Sequence, residues 1–560
     1  MQMRVLNLFI VMLLGAIMIG CEKKEPLIQD YLDVNELKTR LGKFIPVEIG
    51  YDESSLGAGD RQALLKMVQA AKLMDEIFLR QVYDQNPAIR EELKTGANAD
   101  YALLNDYFTI NFGPFDRLEG DQPFINLNQP KPAGANFYPP DLTKEAFEQW
   151  LAGHPEDREA FTGYFTVIRR QGDELAAIPY SEAYKAFLDP AAGLLKEAAA
   201  LTENSSLKTY LNSRADAFLS NDYFQSDMDW MDLQDHNIEI VIGPYEVYED
   251  KLFGYKAAFE AFITLVNHED GQKLRKVSEY LDDLERRLPI PDEHKNFERG
   301  KASPIVVADE VFTAGDTKAG VQTIAFNLPN DERVREAKGS KKVMLKNVSR
   351  AKYDNISTPI MQRVLAEEDL ARVSFEAFFY HVLLHEMCHG IGPGKITKNG
   401  QETTVNKELQ ETYPTLEEAK ADIVGLYHFP YLVEKGVFAP ELAGQVYASF
   451  VGGIFRSVRF GVEAAHGGGN AIILNYLMEK SAVEFDPASA RFRVNYQQIG
   501  DAVRDLSREI LMIQALGDYQ AAKALIEKYR IIAPELQIAL NKLNDIPVDI
   551  RPQFAVEKKL

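Results

Sequence analysis

Apolar residues recur at every third or fourth position along much of the chain, a spacing that predicts amphipathic helices. One such segment runs from Asp60 to about Arg90. Loops rich in proline, glycine and asparagine, especially Gly120–Pro140, follow it. Further helices are predicted at 144–151, 157–171, 182–202, 206–218, 254–267 and 269–288, and from about residue 351 almost to residue 543.

A different pattern begins at Asn237. Three short segments are rich in β-branched residues and partly alternate between apolar and polar, which predicts strands at Ile238–Ile242, Pro304–Ala308 and Val321–Phe326. The segment Pro547–Phe554 near the end of the chain is also predicted to be extended. We therefore expect an α+β fold, with one largely helical lobe and one mixed lobe that contains a small β element.

The first 21 residues are predicted to be a signal peptide rather than part of the fold. Arg4 supplies a positive charge, Val5–Ile19 is mostly apolar, and Met18-Ile19-Gly20-Cys21 resembles the cleavage site of a bacterial lipoprotein. Cleavage before Cys21 and lipidation there would give an exported protein, tethered to the cell envelope by its anchor. An ordinary secretory signal or an uncleaved anchor is the alternative.

Composition narrows the possible partners. The net charge of −22 argues against binding to nucleic acid or to an anionic membrane surface. The two cysteines are Cys21 and Cys388, so lipidation of the first leaves no intrachain disulfide. Cys388 is expected to be a buried core thiol.

The strongest chemical signal is the sequence His385-Glu386-Met-Cys-His389, which matches the pattern H-E-x-x-H within an apolar helix. Two histidines four residues apart lie on one helical face and can bind one zinc ion. Glu386 can then act as a general base toward water, whose pKa the metal lowers. The alternative is a buried helix whose histidines only form hydrogen bonds. His381, one turn earlier, is expected to pack rather than to bind metal.

A third metal ligand is expected in the segment Thr415-Leu-Glu417-Glu418-Ala-Lys-Ala-Asp422. Glu418 is the leading candidate and Glu417 competes with it. Asp422, one turn after Glu418, can accept a hydrogen bond from a liganding histidine. Alternatively, Thr415 and Glu418 form a capping box at the start of a helix.

Taken together, these motifs resemble those of the dipeptidyl peptidase III family of zinc metallopeptidases. Three other segments strengthen the likeness: Ile242–Asp250, Asn327-Leu-Pro-Asn330-Asp and Ala465-His466-Gly. The chain departs from the family pattern in having a five-residue histidine motif where most members have six residues. It also has Lys420 where the family has arginine.

The resemblance implies a role for each matching residue and a single Zn²⁺ per chain. These roles are zinc binding by His385, His389 and Glu418, general base catalysis by Glu386, and orientation of the ligands by Glu417 and Asp422. The resemblance also implies that Tyr248 and His466 form hydrogen bonds to the scissile carbonyl. It further implies that Glu246, Asn327 and Asn330 bind the substrate N-terminus.

The family fold implies two lobes with a cleft between them, the mixed lobe containing a small β-barrel and the helical lobe carrying zinc. The boundaries expected here are a signal peptide at 1–21, mixed lobe at 22–267, helical segment at 268–303, return to the β part at 304–345, helical catalytic lobe at 346–545 and a C-terminal extension at 546–560.

The implied activity is removal of short units from the N-terminus of oligopeptides. The alternatives are a zinc hydrolase of the same lineage acting on another amide, or an inactive peptide-binding lipoprotein.

Overall fold

The computed structural model describes residues 26–297 and 304–560. The predicted signal peptide and its lipidation site, Cys21, lie outside the described residues. Among the described helices, none combines the length and the apolar character that crossing a bilayer requires.

The chain alternates between helices and short strands. The helices of its first half are α1 (Val34–Leu41), α2 (Ala58–Val82), α3 (Asn86–Thr95), α4 (Tyr101–Asn111), α5 (Lys144–Gly153), α6 (Arg158–Thr162), α7 (Tyr180–Ala183), α8 (Lys185–Leu201), α9 (Ser205–Ser220), α10 (Phe224–Met231), α11 (His268–Glu279) and α12 (Leu281–Arg287). Those of its second half are α13 (Glu332–Lys338), α14 (Lys346–Lys352), α15 (Thr358–Val364), α16 (Glu367–Leu370), α17 (Phe375–Cys388), α18 (Val405–Leu409), α19 (Tyr413–Glu434), α20 (Leu442–Val458), α21 (Ala465–Glu479), α22 (Ile499–Leu516), α23 (Tyr519–Tyr529) and α24 (Pro534–Asn541). The strands are β1 (Phe44–Ile49), β2 (Phe115–Asp116), β3 (Gln122–Pro123), β4 (Thr166–Gln171), β5 (Glu174–Pro179), β6 (Ile238–Glu246), β7 (Ala258–Val266), β8 (Ile305–Gly315), β9 (Ala325–Leu328), β10 (Lys341–Leu345), β11 (Lys395–Lys398), β12 (Gln401–Thr404), β13 (Val483–Asp486), β14 (Arg491–Val494) and β15 (Asp549–Phe554).

The central sheet has five strands in the order β6-β7-β8-β10-β9. Strands β8 and β10 are parallel, whereas the other neighbours are antiparallel. The family resemblance implies a barrel, but no ladder joins β6 to β9 among the described residues, so this sheet is open. Helix α2 packs across β7 and β8 and covers part of the sheet.

Two segments predicted to be helical contain strands instead. Residues 254–267 contain β7, in which every residue except the last is buried. A strand that is covered on both faces has no alternation to distinguish it from a helix. The second segment, 157–171, ends in β4, which forms a hairpin with β5 through a turn at Gly172, where φ is +67°.

The helices from α17 onward form the second packed region. Helix α17 contacts α19 and α20, and α19 also contacts α21 and α22. Helix α19 is therefore surrounded by other helices, which accounts for the burial of most of its residues. The histidine motif lies at the end of α17 and faces α19.

Candidate metal centre

Helix α17 positions the two histidines of the motif. Its N-terminus is capped by Ser374, whose Oγ accepts a hydrogen bond from the backbone N–H of Ala377 at 3.3 Å. His385 and His389 lie one turn apart at the other end of the helix, and their Nε2 atoms are 3.2 Å apart. Both rings therefore point toward one position.

Glu418 of α19 joins the two histidines. Its Oε2 lies 3.1 Å from Nε2 of His385 and 3.8 Å from Nε2 of His389. Within the described ranges, these three residues are the one group of His, Cys, Asp and Glu side chains that can hold a metal ion, with ligand atoms within 4.8 Å of one another. Two imidazoles and one carboxylate are typical ligands of a catalytic zinc ion.

The outer nitrogen of each imidazole is bound to a carboxylate. Nδ1 of His385 lies 2.7 Å from Oδ1 of Asp422, and Nδ1 of His389 lies 2.9 Å from Oε1 of Glu417. Because an ionised carboxylate only accepts hydrogen bonds, each Nδ1 carries a proton, and the neutral form of each imidazole keeps its lone pair on Nε2. Both Nε2 atoms and the buried Oε2 of Glu418 therefore face one another, and no well-aligned hydrogen bond satisfies that oxygen. A cation satisfies all three, so these residues fit a metal ion.

The charges around this cluster also favour a cation. Burial would raise the pKa of Glu418, but His385 and His466 outweigh it and hold that pKa far below its ordinary value. Burial lowers the pKa of His385, yet Asp422 and Glu418 raise it to about 10, so these carboxylates favour a second proton on this imidazole, and a bound cation would take the place of that proton at Nε2. The carboxylates therefore stay ionised and draw positive charge into the site.

Glu417 is fully engaged by other residues. Its Oε2 accepts a hydrogen bond from Nε2 of Gln514 at 2.9 Å, and Nζ of Lys420 lies 2.8 Å from its Oε1. Burial raises the pKa of Glu417, but Lys420 and His389 lower it to about 2. Since both of its oxygens have partners, the geometry favours Glu418 over Glu417 as the third ligand.

Helix α19 begins earlier than predicted. Its first residue is Tyr413 and its N-cap is Thr412, so the prediction of Thr415 as N-cap is wrong. Pro414 in the first turn provides the reason, because proline suits the first helical positions, where no N–H partner is needed. Because Thr415 is not the N-cap, Thr415 and Glu418 do not form the alternative capping box.

His466 reaches the cluster from the start of α21. Its Nδ1 lies 3.1 Å from Oε2 of Glu418. The glycines that follow allow α21 to approach α19 closely, since a Cβ on Gly469 would lie 3.0 Å from the backbone nitrogen of Ala419. This close approach explains the glycine run better than a phosphate-binding loop does.

Glu386 reaches the central sheet. Its Oε2 contacts Nζ of Lys342 in β10. Asn327 of β9 is the antiparallel partner of Lys342, and directly opposed residues share one face of a sheet. The face that carries Asn327 therefore looks toward the histidine motif.

Glu246 and Asn330 lie together at the far end of β9. Nδ2 of Asn330 donates to the backbone oxygen of Tyr245 at 3.1 Å. Burial raises the pKa of Glu246, although a hydrogen bond with Asn330 opposes this effect. Tyr248 is 76% exposed, and the nearby Glu246 raises its pKa. In the described part of the chain, no hydrogen bond or ring contact joins Tyr248 to the metal cluster.

Two carboxylates near Glu246, one buried and one partly exposed, were missed from the sequence. Glu260 of β7 is 3% exposed and lies opposite Gly315 of β8, which precedes Asp316. Burial, reinforced by Asp316 and Glu246, raises the pKa of Glu260 well above its ordinary value. Burial also raises the pKa of Asp316 to about 7. The available signal was a single acidic residue within an otherwise apolar segment, Phe259-Glu260-Ala261.

His381 is hydrogen-bonded outside the metal cluster, and Cys388 is buried in the core. Nε2 of His381 lies 2.9 Å from the backbone oxygen of Asp422. Cys388 is buried, and burial raises the pKa of its thiol to about 12. Neither side chain belongs to the metal cluster.

Comparison with known proteins gives a consistent family relationship. Residues 166–430 match the model of peptidase family M49. The solved structure of DPP III from Caldithrix abyssi has a TM-score of 0.90 and 58% sequence identity, covering 93% of this chain and 99% of that one. Dipeptidyl-peptidase III from Corallococcus sp. strain EGB has a TM-score of 0.76 and 43% identity, covering 95% of this chain and 99% of that one.

Two relatives with curated names are also informative. Nudix hydrolase 3 of Arabidopsis thaliana is 41% identical over 94% of this chain and 74% of its own length, so about a quarter of that protein lies outside the match. Human dipeptidyl peptidase 3 is 25% identical over 54% of this chain and 47% of its own length. The name Nudix hydrolase 3 denotes a chemistry different from that of the peptidases.

Proposed function

Because this chain belongs to peptidase family M49, the dipeptidyl peptidase III family, we propose that it is a zinc-dependent exopeptidase that releases dipeptides from the N-terminus of oligopeptides. The observation that carries the proposal is the convergence of three ligand atoms, from His385, His389 and Glu418, on one position. This arrangement favours a metal-dependent hydrolase over a helix with merely packed histidines.

The proposed peptide site starts beside this cluster. The residues proposed to line this site begin with Glu386, which contacts Lys342, the strand partner of Asn327. This path of residues then ends at Asn330, three residues after Asn327 and next to Glu246. An extended chain advances about 3.3 Å per residue, so two substrate residues span roughly 7 Å. A peptide added along the exposed edge of β9 would keep most of its contacts in the main chain, which permits varied side chains.

The acidic residues at the far end of this path suit an N-terminal ammonium group. Glu246 is joined there by Glu260 and Asp316, and desolvation together with the charge of Glu246 raises the pKa values of both. An ammonium group relieves this repulsion and donates up to three hydrogen bonds. A peptide with a blocked N-terminus cannot do so.

The chain's own residues supply the remaining steps. Bound zinc would lower the pKa of water and polarise the scissile carbonyl. Glu386 accepts a proton from the attacking water and passes it to the nitrogen of the leaving peptide as the amide bond breaks. His466 donates a hydrogen bond to the carbonyl oxygen as negative charge develops on it, and the same role is proposed for Tyr248 on the family resemblance alone.

The test is an assay of one pentapeptide in free and N-acetylated forms, with fragments identified by mass spectrometry. We expect dipeptide release from the free peptide only, loss of activity with a chelator, and recovery with Zn²⁺. The Glu386→Gln variant should keep its metal and lose activity about 10²- to 10⁴-fold. Equal cleavage of both peptides would instead support a hydrolase of other amides, and tight peptide binding without cleavage would support a binding protein.

Export and lipid anchoring are proposed on the sequence Met18-Ile19-Gly20-Cys21 alone. We expect labelled palmitate to be incorporated into the native chain in a bacterial host and not into the Cys21→Ser variant. Equal labelling of the two chains would refute the anchor.

A further inference from the structure

Lys342 connects the central sheet to the general base of the proposed reaction. Its Nζ contacts Oε2 of Glu386, and the side chains of the two residues are 21% and 20% exposed. The neighbouring Lys341 points to the opposite face, where it is buried and pairs with Glu239. The two consecutive lysines therefore have different environments, and only Lys342 faces the histidine motif.

The position of Lys342 in the sheet is also specific. It lies opposite Asn327 of the edge strand β9, along which the peptide is proposed to bind. The Lys342 side chain thus starts one strand inside the proposed peptide-binding edge and touches Glu386 at its tip. Any displacement of β10 relative to α17 would move Glu386 or break the contact.

A second contact supports this connection. Lys346 directly follows β10 and pairs with Asp270, which also accepts a hydrogen bond from the hydroxyl of Tyr380 at 2.8 Å. Tyr380 lies in α17, six residues before Glu386. The sheet and the motif helix are therefore joined at two points along the helix.

The chemistry suits a positioning role. A carboxylate has two oxygens, and an ammonium group that holds one of them restricts the rotamers of the side chain. Oε2 of Glu386 is held by Lys342, which leaves Oε1 to accept the proton of the attacking water. We propose that Lys342 is a positioning residue that fixes Glu386 relative to the peptide-binding edge; this role rests on the proposed exopeptidase function.

The test compares Lys342→Met, Lys342→Arg and the native chain in steady-state cleavage of a free pentapeptide. We expect Lys342→Met to lower kcat about 10- to 100-fold, a range seen for residues that orient catalytic groups, while KM changes less than threefold. Lys342→Arg should recover most of the loss, and the zinc content of both variants should equal that of the native chain. Lys338→Met is a matched control, because Lys338 is 25% exposed and pairs with Asp232 on the surface; it should leave kcat unchanged.

A double-mutant cycle separates positioning from a structural effect. In the Glu386→Gln background, Lys342→Met should cause no further loss of activity, because the group it positions is already absent. An equal loss in both backgrounds, or an unchanged kcat in Lys342→Met, overturns the role of Lys342. A native chain that leaves the free pentapeptide intact overturns the exopeptidase function itself, and this role with it.

Discussion

At the scale of single residues, the identity of the metal ligands depends on where each imidazole proton lies. Asp422 and Glu417 accept from the Nδ1 atoms of His385 and His389, so both Nε2 atoms are free to bind a metal. Glu418 completes the group because its Oε2 lies 3.1 Å and 3.8 Å from these two Nε2 atoms and forms no well-aligned hydrogen bond. The two adjacent glutamates thus have different proposed roles although their side chains are chemically identical.

Replacing each glutamate by alanine should separate these roles. Glu417→Ala removes a residue that orients His389, so we expect metal affinity to fall about 10- to 100-fold. Glu418→Ala removes a ligand and should reduce affinity by more than about a hundredfold. Competition with a chelator of known zinc affinity measures both variants. If Glu417→Ala loses zinc while Glu418→Ala keeps it, the ligand assignment is wrong.

Asp316 should make peptide affinity depend on pH. Burial raises the pKa of Asp316 from 3.8 to about 7. The protonated carboxyl group therefore contributes fully to the stability of the peptide-free fold below pH 3.8. This contribution is lost as the pH rises through about 7. A peptide ammonium group binds the ionised form better. Affinity should therefore increase from pH 6 to about 7.5 and fall again above about pH 8, where an α-amino group loses its proton.

Calorimetric titration of a peptide into the Glu386→Gln variant measures this affinity without cleavage. Adding Asp316→Asn should reduce the increase between pH 6 and 7.5, with Glu246 and Glu260 accounting for the remainder, and leave the fall above pH 8. Asp292→Asn is a suitable control, since Asp292 is a surface carboxylate that is 88% exposed. Identical pH profiles with and without Asp316→Asn would exclude Asp316 from the ammonium site.

At the scale of secondary structure, Lys420 joins the end of α17 to α19. Its Nζ donates to the backbone oxygens of Cys388 at 2.7 Å and Ile391 at 3.1 Å, and it lies 2.8 Å from Glu417. The last carbonyls of a helix have no partners within it, so a buried ammonium group satisfies them. Lys420 therefore fixes the histidine-bearing end of α17 and orients Glu417 at the same time.

The Lys420→Met variant should lose both stability and metal affinity. Removing one partner of a buried charge pair costs about 3–5 kcal/mol. Zinc affinity should fall about 10- to 100-fold, because Glu417 no longer holds His389 in place. Lys420→Arg, which keeps the charge, should lose less of each. Urea unfolding and chelator competition measure the two effects, and an unchanged zinc affinity in Lys420→Met would show that Lys420 acts on stability alone.

The elements that the sequence predicts well are those whose pattern is local. The H-E-x-x-H helix and the extended segment near Phe554 are examples, since their spacing and composition suffice. Strand β7 was mistaken for a helix because both of its faces are buried, which depends on distant parts of the chain. Lys342 and Asp316 could not be found for a similar reason: their partners, Glu386 and Glu260, come close only through strand pairing and helix packing.

At the scale of the whole molecule, the two ends of the described chain meet. Strand β1 pairs in parallel with β15, from Phe44–Ile49 to Asp549–Phe554. Asp549, at the start of β15, is buried and accepts a hydrogen bond from the backbone N–H of Gln322 at 2.6 Å. It also pairs with Lys352, at the end of α14, at 2.9 Å. One carboxylate thus links the C-terminal segment to the helix that follows β10.

Asp549→Ala should destabilise the whole fold without altering the metal site. It leaves the ammonium group of Lys352 buried and unpaired, which costs about 3–5 kcal/mol. Replacing both residues, as Asp549→Leu with Lys352→Met, should recover part of that loss because the Lys352 charge is removed with its partner, whereas Arg456, whose charge also interacts with Asp549, stays in place. The surface pair Lys185–Asp189, 66% and 44% exposed, provides the control, and Asp189→Ala should cost at most about 0.5 kcal/mol. Urea unfolding of the four chains measures these differences. If Asp549→Ala is no less stable than Asp189→Ala, the buried pair does not hold the two ends of the chain together, and the pairing of β1 with β15 must suffice.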